Sequence, residues 1–167
     1  MMTPGNVIWT LDTSSLAEVR RSIENVKKQR VFTQMGILVQ DGRLIFPKQV
    51  VDELERVADP NSPDQQYAWA KQHQAHVKAA APSFEEIKQV LNYVPRVLDP
   101  DKDTGVDEAD PYILAIAVRL RAEGKDVRIV TEETKDTPRK MSLRTAAGLL
   151  GVASVPLKAF LQFEKII

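Results

Sequence analysis

From Pro111 to Val118 the chain reads Pro-Tyr-Ile-Leu-Ala-Ile-Ala-Val, eight residues without a charge directly after Asp110, and few architectures can house such a segment. Aspartate followed by proline reads as an N-cap and a first helical residue: the carboxylate can accept a terminal N–H, and proline loses nothing where no N–H is needed. The spacing predicts a helix from Pro111 to about Glu123, with Gly124 as its stop. Its first two turns are apolar on nearly every side, and Arg119, Arg121 and Glu123 come only afterwards, so those turns are expected to be buried among other elements. Asp107 and Asp110 therefore stand at a buried helix entrance, where acids need partners.

The rest of the chain alternates short β-prone runs with helical spacing. Val7–Leu11 is a strand ending at Asp12, and Thr13-Ser14-Ser15 opens a helix expected over about Leu16 to Gln29 with Val19, Ile23 and Val26 inward. A second helical stretch at Phe32–Val39, an Asp41-Gly42 turn, and a strand at Leu44–Phe46 stopped by Pro47 follow. Lys48–Val57 returns to helical spacing, with Glu53 pointing partly inward beside Leu54. Beyond a proline-broken loop, Gln65 to about Ala80 is a polar helix whose His73 and His76 are expected at the surface, there being no third ligand in reach for zinc. Ser83 and Glu86 form a capping box for Phe84–Val94. Val127–Thr131 is a strand followed at once by Glu132-Glu133. A polar loop at 135–140, a short helix at Leu143–Leu150, a strand at Val152–Val155 and a closing helix at Pro156–Ile167 complete the chain. Such alternation predicts one α/β domain over residues 1–167, a three-layer parallel sheet flanked by helices and joined by right-handed crossovers.

Composition narrows the function classes. Lys plus Arg and Asp plus Glu each total 23, so no overall basic field advertises nucleic-acid binding, although a local patch is compatible with neutrality. There is no cysteine, which removes disulfides and thiolate metal sites. No apolar run approaches the roughly 20 residues of a membrane span and no signal-like segment opens the chain, so a cytoplasmic location without membrane contact is the expectation. No glycine-rich phosphate loop is present, which argues against nucleotide hydrolysis.

In a parallel sheet every strand's carboxyl end emerges on one edge, so Asp12 and Glu132 or Glu133 share it, and the head of the Asp110 helix is expected there too. Clustered carboxylates repel one another and lose solvation. Mg²⁺ or Mn²⁺ resolves that conflict, because hard cations prefer carboxylate and water oxygens, and such an ion can acidify water and hold a phosphodiester for attack.

Four segments taken in order, Val7-Ile-Trp-Thr-Leu-Asp12-Thr-Ser14, Val50-Val51-Asp52-Glu53-Leu54, Ala109-Asp110-Pro-Tyr-Ile113-Leu-Ala115-Ile-Ala117 and Ile129-Val130-Thr131-Glu132-Glu133, resemble the ordered motif set of PIN domains. The resemblance covers nearly the whole chain and implies a PIN-like fold and a metal-dependent ribonuclease, commonly the toxin half of a toxin-antitoxin pair of the VapC type, with RNA as substrate and an antitoxin protein as partner. By it, Asp12, Glu53, Asp110 and Glu133 are the catalytic, metal-holding acids and Asp107 an additional ligand. Ser14 and Thr131 match the small polar residues near the first and fourth acids. Glu133 stands where the family has aspartate, and Glu132 and Asp136 are alternative fourth acids. The insert from Asp59 to Pro95 exceeds that of compact toxins.

Two functions follow. In one, the chain is a Mg²⁺- or Mn²⁺-dependent endoribonuclease with Arg20, Arg21, Lys135, Arg139 and Lys140 as phosphate-facing cations, a solvated charged face being their alternative. In the other, it is a PIN-like binding or regulatory module with little or no catalysis, favoured by Glu133 in place of aspartate. A receiver-like phosphotransfer pocket ranks last, since the first strand supplies only one acid. Trp69 and the apolar closing helix read as core, with a homodimer face as the alternative.

Overall fold

A computed structural model describes residues 4–59, 61, 64–77, 81–101 and 108–167. Four strands, β1 (Val7–Leu11), β2 (Leu44–Ile45), β3 (Asp126–Val130) and β4 (Ala153–Val155), form one parallel sheet in the order β2-β1-β3-β4. Trp9 lies level with Leu44 on one side and Arg128 on the other, and Ile129 with Ser154. The helices are α1 (Thr13–Ser22), α2 (Asn25–Gln40), α3 (Lys48–Val57), α4 (Gln65–Val77), α5 (Phe84–Tyr93), α6 (Asp110–Ala122), α7 (Leu143–Leu149) and α8 (Leu157–Phe163). This is the expected three-layer α/β architecture, parallel sheet between helices, and it is compatible with a PIN-like fold.

The middle strands owe their position to sequence. β1 and β3 carry Val7, Trp9, Leu11, Val127, Ile129 and Val130, all buried, as a strand covered on both faces requires. Trp9 packs edge-on against Phe160 and Phe163 at 4.9 and 5.4 Å. Its indole N–H donates to Glu164 at 2.9 Å, and Arg43 holds the same carboxylate oxygen at 2.6 Å. The apolar stretch that opens α6 is buried throughout, Ile113 to Ala117. Among the described residues no helix is long and apolar enough to cross a membrane.

Three local expectations need correction. The first two helices divide at Ile23 and Glu24, well before the division expected near Arg30 and Val31. At about 100° per residue, the buried stripe of α1 (Leu16, Val19) and that of α2 (Val31, Met35) are about 120° out of phase, so one straight helix could not bury both, and Val26 is 86% exposed. Asp110 is the first helical residue of α6 and Ala109 its cap, so the Asp110 carboxylate makes no capping bond. His73 is not at the surface: it packs against Trp69 with ring centroids 5.0 Å apart and is 6% exposed. It also lies against Gly36, where an added Cβ would be 3.0 Å from His73 Nε2. The capping box at α5 forms as expected, Glu86 N donating to Ser83 Oγ and Ser83 N to Glu86 Oε1.

Candidate metal centre

Strand order decides where a site can lie. From β1 the chain crosses to β2 on one side and later to β3 on the other, so the connections diverge between β1 and β3 and leave a crevice outside their carboxyl ends. Asp12 immediately follows β1, and Thr131 to Glu133 immediately follow β3. A crossover helix runs against the strand it feeds, which brings the first turn of α6, with Asp110, to the same edge.

Asp12, Asp110 and Glu133 meet there, each offering a carboxylate oxygen within 4.8 Å of the others. They line a cleft of about 290 Å³ whose walls also include Thr13, Glu53, Glu108 and Lys140. Asp12 is fixed by two hydroxyls converging on Oδ2, Ser14 Oγ at 2.7 Å and Thr131 Oγ1 at 2.8 Å. Both hydroxyls are themselves held, Ser14 Oγ accepting from the Glu132 N–H and Thr131 Oγ1 from the Glu133 N–H, each at 3.0 Å. Asp12 therefore caps α1 only by position, its side chain making no cap bond. Glu53, also lining the cleft, accepts from Thr13 Oγ1 at 2.7 Å and lies outside the three-acid group. Lys140 reaches in from the loop before α7, its ammonium donating to Asp110 Oδ2 at 2.8 Å and to Glu133 Oε1.

Residues 9–166 match the family described as a domain of unknown function, DUF4411. The chain belongs to that family. No curated protein and no solved structure matches it. The DUF4411 membership covers every acid of the cleft and carries no activity with it, so chemistry has to be argued from the side chains.

Their electrostatics show a cluster short of positive charge. Burial is the main cause that pushes Asp12 up to about 6 from 3.8; the Ser14 and Thr131 bonds oppose it, and Glu133 and Glu53 add repulsion. Burial also leads for Asp110, raised to about 7, with Asp12 repelling it and Lys140 acting the other way. Glu133 is raised by burial and by Asp110. Burial opposes the charge on Lys140, yet Asp110 and Glu133 together outweigh it and hold the ammonium well above its usual range. Three hard oxygen donors no more than 4.8 Å apart fit a divalent cation. With metal–oxygen distances of about 2.0–2.6 Å, they need to close by less than about 1 Å to ligate one ion.

Among the alternative fourth acids, only Glu133 enters the cleft. Glu132 accepts the Leu157 N–H at 2.6 Å and so tethers the start of α8. Asp136 accepts from the Ser142 N–H and from Thr145 Oγ1, binding the loop to α7. Asp107 lies outside the described residues. One cleft residue, Glu108, is absent from the sequence-based candidates. Glu108 accepts the Asp99 N–H at 3.1 Å; its signal was position, two residues before Asp110 on the same approach to α6. Lys140, expected among the phosphate-facing cations, lies in the cleft and is bonded to two of the acids. Arg20 pairs with Asp64, and Arg139 with Asp101, both far more exposed than Lys140.

Proposed function

We propose that this chain is a divalent-cation-dependent endoribonuclease with a PIN-like fold in a single domain, acting as the toxin half of a pair whose antitoxin is a separate protein. The observation that carries the reading is the convergence of Asp12, Asp110 and Glu133 at the divergence of β1 and β3, where open parallel sheets bind ligands. The ordered PIN-like motifs supply the reaction class. A bound Mg²⁺ or Mn²⁺ would supply water acidified enough to act as a nucleophile at neutral pH and would offset the charge of a phosphodiester.

The chain's own groups have separable roles. Asp12, Asp110 and Glu133 hold the cation, with the Asp12 carboxylate pinned by Ser14 and Thr131 so that little reorganisation accompanies binding. Glu53, held by Thr13, lines the same cleft and would accept hydrogen bonds from water there. Lys140 brings ammonium donors to the same place, suited to a phosphate oxygen.

A binding module without catalysis is the second reading, favoured by the Lys140 bonds, which already satisfy part of the Asp110 and Glu133 charge. One experiment separates the two: incubate an unstructured RNA with purified protein and Mn²⁺, with Asp12→Asn and Asp110→Asn as controls. Cleavage by the wild type, reduced at least about 100-fold in either variant, supports the nuclease. Retention of the RNA without cleavage selects the binding module, and equal cleavage by wild type and variants refutes the proposed site.

A further inference from the structure

The three acids are held differently: Lys140 bridges Asp110 to Glu133 through its ammonium, while the Ser14 and Thr131 hydroxyls hold Asp12. Two-metal centres hold two ions about 3.5–4 Å apart with a carboxylate between them. Here the Asp110–Glu133 pair, the two ligands a second ion would take, is already engaged by an ammonium group. We propose that Lys140 stands in place of the second cation, so that the site takes one divalent ion and the ammonium acts on the substrate phosphate.

The lysine is held there by its backbone as well as by charge. The Lys140 N–H donates to Thr137 Oγ1 and the Thr137 N–H to the Lys140 carbonyl, at 3.0 and 2.9 Å. On the other side, the Met141 N–H donates to the Arg96 carbonyl at 2.7 Å and the Ser142 N–H to Asp136 at 2.8 Å. Anchored on both flanks, the loop delivers the side chain into the cleft, where it is 22% exposed, in contrast to 74% for its neighbour Arg139. An ammonium has three donors, and two are spent on Asp110 and Glu133. Among the described residues no acceptor takes the third, which is then available to a non-bridging or leaving oxygen of the phosphodiester, where a second metal ion would otherwise offset the developing charge. This assignment rests on the proposed metal site, and it adds that lysine and one ion share the work of two.

The test is metal stoichiometry, read by calorimetry and by Mn²⁺ electron paramagnetic resonance on the full chain, with Lys140→Met and Lys140→Gln compared with the wild type. One Mn²⁺ per chain in the wild type is expected. In the variants a second Mn²⁺ should bind, at least about tenfold tighter than any second ion in the wild type, with the spectral broadening of two neighbouring ions. Two ions in the wild type would overturn the assignment while leaving the metal site standing, whatever the variants do. One ion in both wild type and folded variants would overturn it in the same way. No Mn²⁺ bound by any of the proteins would refute the metal site itself, and the lysine assignment with it.

Discussion

Replacing Asp12 by asparagine should stabilise the metal-free protein at neutral pH. In the fold Asp12 is 3% exposed and its carboxyl is raised from 3.8 to about 6. At roughly 1.4 kcal/mol per pH unit, the ionised carboxylate costs the native state about 3 kcal/mol. The sign follows from the direction: a raised native value means the folded protein holds its proton longer than the unfolded chain does. The penalty is absent below about pH 3.8, sets in between there and about pH 6, and is complete above. Asparagine keeps an oxygen to accept from Ser14 and Thr131 and offers its amide to the neighbouring acids. Allowing about 1 kcal/mol for burying that amide imperfectly, the net gain near pH 8 is about 2 kcal/mol, or roughly 4–8 °C in Tm for a chain of this size.

The assay is urea unfolding in a chelator at about pH 4, 6 and 8, with wild type and variant compared at each. The variant's advantage should vanish or reverse at the acid end and grow to its plateau at the alkaline end. Saturating Mn²⁺ should invert the order near pH 8: an ion at about 100 times its Kd adds about 2.7 kcal/mol to a protein that binds it and nothing to one that does not. A stability difference independent of pH, or a variant less stable than wild type near pH 8 without metal, would refute the claim that Asp12 is held ionised against its surroundings.

Glu53→Gln should weaken Mn²⁺ binding by roughly tenfold, well short of the loss in Asp110→Asn, because Glu53 lines the cleft but stands outside the three-acid group; calorimetry on the two variants ranks them, and an equal loss would make Glu53 a direct ligand. Glu164→Ala should destabilise the fold by about 2–3 kcal/mol at neutral pH without changing Mn²⁺ affinity, since it strips the acceptor shared by the Trp9 indole and the Arg43 guanidinium at the amino edge of the sheet. Denaturant unfolding checks it, and a change below about 0.5 kcal/mol would mean that both donors find other partners.

The parts of this fold that were legible in the sequence are those set by repeating physics. Continuous apolar runs bounded by turn residues gave β1 and β3, and a parallel sheet brings Asp12, Asp110 and Glu133 to one edge whatever the details of the connections. The misread elements depend on a partner chosen by tertiary packing. His73 sits one turn after Trp69, an i,i+4 relation that puts both on the buried face of α4; the signal was present, but the polar composition of that helix masked it. Two helices were expected between β1 and β2, but the place of their division, at Ile23 and Glu24, was legible only as a phase slip between two apolar stripes. Lys140 follows Pro138 and Arg139 in a loop of no periodicity, and nothing local distinguishes a lysine aimed into a cleft from one in solvent. Glu132, Glu133 and Asp136 were equivalent as letters; they separated only when the amide N–H groups of Leu157 and Ser142 claimed the first and last.

That separation also bears on what the cleft is for. Acids recruited for structure in this chain are paired with N–H groups or with arginines: Glu132 with Leu157, Asp136 with Ser142, Glu164 with Arg43 and Trp9, Glu86 with Ser83 and Arg119. Each such acid ends with a donor that offsets its desolvation. Asp12 and Asp110 do not follow the pattern. Among the described residues Asp12 receives only neutral hydroxyls, which orient a carboxylate more than they neutralise it, and Asp110 receives one shared ammonium. Burial pushes both up from 3.8, Asp12 to about 6 and Asp110 to about 7, against the pull of those donors. A fold under pressure for stability alone would resolve this with an amide or an arginine at little structural expense. Orientation kept tight while charge is left unbalanced is the arrangement that a site for an added cation requires.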